Sequence, residues 1–144
     1  RAMTVTIARV TDPTDCYAVR HTVFVGEQNV PVDLERDALD ATAIHLLATV
    51  AGQPVGAARI VVKGDTGKIG RVCVLREQRG TGLGAALIRE ALEILRDTPG
   101  VSRAALGAQI DALGFYEKLE FTAYGDVFDD AGIEHRMMER RVSR

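Results

Sequence analysis

The segment Arg79-Gly80-Thr81-Gly82-Leu83-Gly84 holds residue types and spacing that suit chemistry on a phosphate. Alternate glycines let a backbone turn sharply and approach a ligand closely. The run lies just before an amphipathic stretch, so its amides would sit at a helix start. There unpaired N–H groups and the helix dipole both favour negative charge. Arg79 adds a charge-assisted donor. The run Gly80-Thr81-Gly82-Leu83-Gly84-Ala85 also satisfies the dinucleotide pattern G-x-G-x-x-[GA]. A dinucleotide site wants the loop after the first strand of a parallel unit, and an acid about 20 positions on. Here hairpin-forming strands precede the loop, and position 100 is Gly100. A P-loop needs Gly-Lys-[Ser/Thr], which is absent. A tight strand-to-helix turn without a ligand also uses glycine, but three alternate glycines exceed what a turn needs.

The elements that must position this loop follow from periodicity. Thr4 to Val10 alternates as a strand. From Thr14 to Gln28, Tyr17, Val19, Val23 and Phe24 recur at helical spacing. Asn29-Val30-Pro31 interrupts, and Asp33 to Ala41 predicts a second, shorter, acidic helix. Ala43 to Val50 and Val55 to Val62 read as a hairpin around Ala51-Gly52-Gln53-Pro54. Lys68 to Leu75 completes a meander. After the glycine loop comes a helix from Gly82 to Asp97, with Leu83, Leu87, Ala91 and Leu95 on one stripe. Thr98-Pro99-Gly100 stops it. A strand at Ser102 to Ala108 and a short helix from Asp111 or Ala112 to Leu119 follow. Two strands, around Phe121 to Tyr124 and Glu134 to Val142, close the pattern. The expected class is α/β (α+β), a mixed sheet with about four helices. Its one clean βαβ unit contains the glycine loop.

A length of 144 residues fits one domain, and no linker or repeat divides it. Arg1-Ala2 before Met3 reads as a cloning remnant, leaving 3–144 as the domain. The net charge of -2 excludes the basic footprint of a nucleic-acid binder. Two cysteines, Cys16 and Cys73, do not make a disulfide framework and read as buried thiols. No apolar run reaches membrane-spanning length and no secretory signal opens the chain. A cytoplasmic protein without membrane contact is the expectation.

With these residues in view, the chain resembles the GNAT superfamily of N-acetyltransferases. Val72-Cys73-Val74-Leu75 followed by Arg79-x-x-Gly82-x-Gly84 is similar to the superfamily's central motif. Ala108-Gln109-x-x-Ala112-x-x-Phe115-Tyr116-x-Lys118-x-x-Phe121 is similar to its second motif. Arg20-His21-x-Val23-Phe24-Val25-x-Glu27-Gln28-x-Val30-Pro31, Glu35-x-Asp37, Asp40 and His45 resemble the ElaA/YjcF-like branch. So does the tail Phe128-x-x-x-Gly132-Ile133-x-His135-x-x-Met138. Glu120 departs from the pattern, since the family usually has glycine there. Arg76 departs too, where proline is frequent.

The resemblance implies a sheet with a splayed pair of parallel strands, the fourth and fifth. It implies acetyl-CoA as cosubstrate and no metal. Its pantetheine arm would pair with the backbone of Val72 and Val74, beside Cys73. Its pyrophosphate would lie on the amides of Arg79, Gly80, Thr81, Gly82, Leu83, Gly84 and Ala85, with Gln109 in the second motif close by. The acceptor would be an amine on a small molecule or a peptide, and many such proteins pair as homodimers. Amine acetylation by direct attack needs a positioned thioester, a base for the amine and an acid for the thiolate. Tyr116 is the expected acid. Glu27 and His45 are the candidate bases. Arg59 and Arg71 either line the acceptor cleft or lie on an open strand face. The acids Glu27, Glu35, Asp37 and Asp40 either attract a cationic amine or form a solvated helix face. A non-catalytic acetyl-CoA-binding module of the same fold is the alternative function.

Overall fold

The computed structural model describes residues 4–142; Arg1-Ala2, read above as a cloning remnant, lie outside them. Seven strands form one sheet: β1 (Val5–Val10), β2 (Ile44–Val50), β3 (Gln53–Lys63), β4 (Thr66–Val74), β5 (Arg103–Gln109), β6 (Thr122–Asp130) and β7 (Ile133–Arg141). Their spatial order is β1-β2-β3-β4-β5-β7-β6. Every neighbouring pair is antiparallel except β4 and β5. The turn residues show why the hairpins close where they do. Ala51 and Gly52, then Ala131 and Gly132, all take positive φ, as two-residue hairpin turns require.

Helices cover both faces. On one side α1 (Thr14–Arg20) continues into a π-helical stretch, His21–Glu27. Its buried Cys16, Val19 and Val23 pack on Ala57 and Cys73 of the sheet. On the other side lie α3 (Leu83–Arg96) and the short α4 (Leu113–Glu117). Leu83, Leu87, Ile88, Ala91 and Leu95 of α3 are all buried in the main core. At about 1.5–3 kcal/mol for each large apolar side chain fully buried, this stripe fixes α3 on the sheet. Gly67 lets it come close: a Cβ there would lie 2.2 Å from the Leu95 side chain.

The acidic second helix expected from Asp33 to Ala41 is in fact two short pieces. An α-helical turn, α2 (Val32–Glu35), stops where Arg36 goes extended. A 3-10 turn, Ala38–Ala41, then starts on a capping box between Asp37 and Asp40. The local cap outcompetes helix continuation because the Asp37 side chain accepts from the Leu39 N–H and the Asp40 side chain from the Asp37 N–H. The strand expected at Phe121 to Tyr124 runs on to Asp130, through an irregularity between Tyr124 and Phe128.

Candidate active site

Strands β4 and β5 pair only at their starts, Thr66↔Arg103, Gly67↔Ala104 and Lys68↔Ala105. Beyond Lys68 they part. The cause lies in β4, where the register against β3 shifts between Ala57↔Cys73 and Arg59↔Gly70. Arg71 sits in that bulge at φ 52. A bulge bends its strand and raises the local twist. It therefore turns Val72–Val74 away from β5 while Gly56 and Ala57 still pair with Val74 and Cys73. The β5-facing edge of this segment has no strand partner, and an extended ligand could use it.

The glycine loop opens onto the same end of the sheet. Gly80 and Gly82 take φ 81 and 86, a conformation that L side chains rarely adopt. Gly82 precedes α3 in the left-handed region, and no side chain caps the helix. The first amides of α3 thus lack intrahelical acceptors, as at any helix start, and lack a side-chain substitute. A pocket of about 220 Å³ borders the loop, between Thr81, Gly82, Leu83 and the β1–β2 edge. Over Gly84 lies Phe115, 3.5 Å from where a Cβ would be. The loop meets the parted strand at Val74, whose Cγ2 lies 4.0 Å from where a Cβ on Gly84 would be, while the pocket is lined by none of Val72, Cys73 and Val74.

The loop arginine is engaged. Arg79 donates to the Val74 carbonyl at 3.0 Å and to the Glu27 carboxylate at 2.6 Å. Beside it, Gln109 at the end of β5 donates to the Gln28 side chain at 3.0 Å. Both contacts tie the end of the π-helical stretch to the opening. The wider turn, with Gln28 N bonded back to Val23 O, carries Glu27 and Gln28 there. Such local widenings often occur at functional sites.

The acids singled out in the sequence pair with arginines; Glu35 and Asp40 are buried, while Asp37 stays exposed. Arg20, only 1% exposed, donates to Glu35 at 2.7 Å and to Asp40 at 2.8 and 3.0 Å. Arg59 bonds Asp37 at 2.7 and 3.0 Å and Asp40 at 3.0 Å. Arg71 reaches Glu35 and Asp37 at 3.3 Å and the Glu35 carbonyl at 3.0 Å. Three arginines thus offset three carboxylates. Burial opposes the charge of Asp40, but hydrogen bonds from Arg20 and Arg59 hold its carboxyl well below the usual range. The hydrogen bond from Arg59 likewise lowers Asp37. The network clamps residues 35–40 onto β3 and β4. Periodicity gave no sign of it, because its partners lie 15 to 36 positions apart.

His45 belongs to this clamp. Its Nε2 is 2.9 Å from the Asp40 carbonyl, and Tyr17 meets its ring edge-on at 5.9 Å. Its Nδ1 is buried without a partner. Tyr116 sits on α4 between Phe115 and Phe121, at ring distances of 4.9 and 6.0 Å. Burial pushes its phenol up to about 12, so it holds its proton at neutral pH. Burial also pushes the Cys73 thiol up to about 12, so almost no thiolate forms there. Among the described residues, no group of three or more His, Cys, Asp or Glu could hold a metal ion, and no helix is long and apolar enough to cross a membrane.

A mixed sheet parted at one parallel pair, with a glycine loop leading into a helix at the parting, defines the GNAT acetyltransferase fold. The family's sequence profile, described as acetyltransferase (GNAT) domain, matches residues 12–142, and this chain belongs to that family. It is similar to an uncharacterized N-acetyltransferase, YjcF, of Bacillus subtilis strain 168, with 40% identity over 86% of this chain and 89% of the relative. Protein ElaA of Escherichia coli K12 is 34% identical over 86% of this chain and 84% of its own. In three dimensions the crystal structure of E. coli ElaA superposes with a TM-score of 0.82, covering 96% of this chain and 99% of that one at 28% identity. An acyl-CoA N-acyltransferase from Pseudomonas aeruginosa gives 0.84, with the same coverage and identity. The chain falls in the ElaA/YjcF-like branch.

Proposed function

We propose that this chain moves acetyl from acetyl-CoA to a primary amine by direct attack. The observation that carries the reading is the juxtaposition of a strand edge that β5 leaves unpaired, where Arg79 holds the Val74 carbonyl, and an uncapped helix start. The free edge of Val72–Val74 suits the amides of a pantetheine arm. The uncapped start of α3, behind Gly80 and Gly82, suits a pyrophosphate. Arg79 stands between them and can turn from Glu27 to a phosphate oxygen. The acyl-CoA N-acyltransferase neighbour from P. aeruginosa agrees with an acyl-CoA cosubstrate.

In this reading the amine nitrogen attacks the thioester carbon and the C–S bond breaks. The sulfur leaves with the electron pair and takes the proton of Tyr116, whose raised pKa keeps that proton available. Cys73 needs no covalent role, in keeping with its protonated thiol. One observation favours the alternative, a non-catalytic acetyl-CoA-binding module: Glu27 is ion-paired with Arg79 and His45 is sealed in the clamp. Release of free CoA thiol, measured against a panel of amines, separates the two. Amine-dependent release with matching acetyl-amine supports transfer. Tight acetyl-CoA binding without release from any amine supports the module.

A further inference from the structure

We propose that His135 is the group that takes the proton from the incoming amine. This rests on the acyl-transfer reading above. His135 lies opposite Gln109 on β5 and opposite Phe128 on β6. Residues directly opposite in a ladder share a face, so these three side chains form one row. The next row holds Gly107, Met137 and Tyr124. Ala108 and Met138, which alternate with them, are in the main core under α3. Both rows therefore occupy the other face, the one that Gln28 reaches when it bonds Gln109.

The ring is held in one state. Nδ1 lies 2.7 Å from the Ile133 carbonyl, which can only accept, so Nδ1 carries the hydrogen. In the neutral ring that leaves Nε2 with a bare lone pair. Phe128 stacks on the imidazole at 5.7 Å and fixes its plane. The residue is 9% exposed. Among the described residues, no group of the protein hydrogen-bonds Nε2, yet Nε2 is not among the sealed, unpartnered atoms. It is a basic nitrogen in a built niche that still reaches the outside. His45 is the opposite case, with Nε2 spent on Asp40 and Nδ1 sealed.

The position fits. β5 last pairs with β4 at Ala105, so Gly107 and Gln109 border the opening. β7 lies one strand further, about 4.8 Å away. The space over Gly107 is taken by the tip of Phe128 and the sulfur of Met137, 3.4 and 3.8 Å from where a Cβ would be. The immediate neighbours of His135 on this face, Gln109, Phe128, Ile133 and Met137, are uncharged, and the acid Asp130 lies diagonally across, opposite Ile133. In the step, R–NH3+ gives one proton to Nε2 and the freed nitrogen lone pair forms the C–N bond. The C–S bond breaks, and the sulfur is protonated by Tyr116. A second proton leaves the nitrogen as the amide forms and restores Tyr116. The proton on His135 passes to water.

Two measurements test this. The first is long-range proton–nitrogen NMR of the unaltered protein. A His135 ring protonated on Nδ1 is expected, and one protonated on Nε2 overturns the proposal without reference to activity. The second is steady-state kinetics of His135→Ala and His135→Gln, with acetyl-CoA affinity and melting temperature measured alongside. For alkylamines, which arrive as ammonium ions, kcat/KM should fall about 10²–10⁴-fold. For arylamines, already neutral, it should fall less than about tenfold. Added imidazole should restore part of the activity of His135→Ala. An equal loss for both amine classes, or normal turnover in the folded variants, overturns the role of His135 alone. No transfer by the unaltered protein to any amine overturns the acyl-transfer reading and this role together.

Discussion

The carboxylate of Glu27 and the guanidinium of Arg79, 52 positions apart in the chain, meet at 2.6 Å where β4 and β5 part. Arg76 stands 3.8 Å from the same carboxylate. Glu27 is thus a counter-charge to the basic residues of the loop. An exposed pair of this kind is worth about 0–1 kcal/mol, little against a pyrophosphate. Glu27→Gln should free Arg79 and tighten acetyl-CoA binding by up to about fivefold, the equivalent of about 1 kcal/mol. Its kcat should change by less than about tenfold, against about 10²–10⁴ for a lost base. Calorimetry and steady-state kinetics check both. A large fall in kcat at unchanged affinity would make Glu27 the base instead.

Tyr116→Phe keeps the ring between Phe115 and Phe121 and removes one proton. If that proton goes to the departing sulfur, kcat should fall about 10²–10⁴-fold. The KM for acetyl-CoA should hold, because ground-state binding lies with the loop. Stability should drop by no more than about 1–2 kcal/mol. Equal kcat in the two proteins removes Tyr116 from the chemistry.

Asp40 accepts from both Arg20 and Arg59, and its folded pKa lies below the ordinary 3.8. A lowered carboxylate stabilises the fold fully above its ordinary value. That contribution fades as pH falls from there toward the folded value. Asp40→Asn leaves two buried arginines short of a charge and should cost about 3–5 kcal/mol at pH 7. The cost should stay flat from pH 8 to about pH 5 and shrink below about pH 4. Urea unfolding of both proteins across that range measures it. A cost that does not vary down to pH 2 would show that the charge of Asp40 is not what holds the clamp.

Glu120, where the family usually has glycine, takes φ 71 in the turn after α4. A side chain in the left-handed region costs about 1–2 kcal/mol, and glycine avoids it at some entropic cost. Glu120→Gly should gain about 0.5–1 kcal/mol, read as a rise in melting temperature. A fall would mean that the Glu120 side chain has a stabilising contact of its own.

Much of the sheet and the glycine loop could be read from the sequence, because both leave local marks. Alternation marked β1, β-rich runs around the Ala51-Gly52-Gln53-Pro54 turn marked β2 and β3, and the stripe Leu83, Leu87, Ala91, Leu95 marked α3. The site beyond the loop was harder to read. Whether Glu35 faces Arg20, or Glu27 faces Arg79, depends on tertiary approach and not on spacing. The break at Arg36 and the widening after Arg20 come from caps and packing that override helical propensity. His135 was visible as part of the tail pattern. Its meaning came only from the ladder that sets it beside Gln109, and from the carbonyl of Ile133 that fixes its hydrogen.

The chemistry proposed for this chain depends most directly on what the loop from Arg79 to Ala85 holds. The measurement is the melting temperature of the unaltered protein and of Gly82→Val, each with acetyl-CoA and with NAD. Acetyl-CoA at a hundredfold excess over its dissociation constant should stabilise the unaltered protein by about 2.7 kcal/mol, and NAD should not. Gly82→Val forces a branched side chain to φ 86, should distort the loop, and should lose most of the acetyl-CoA shift while still folding. A shift with NAD and none with acetyl-CoA, or a full acetyl-CoA shift in Gly82→Val, would contradict it.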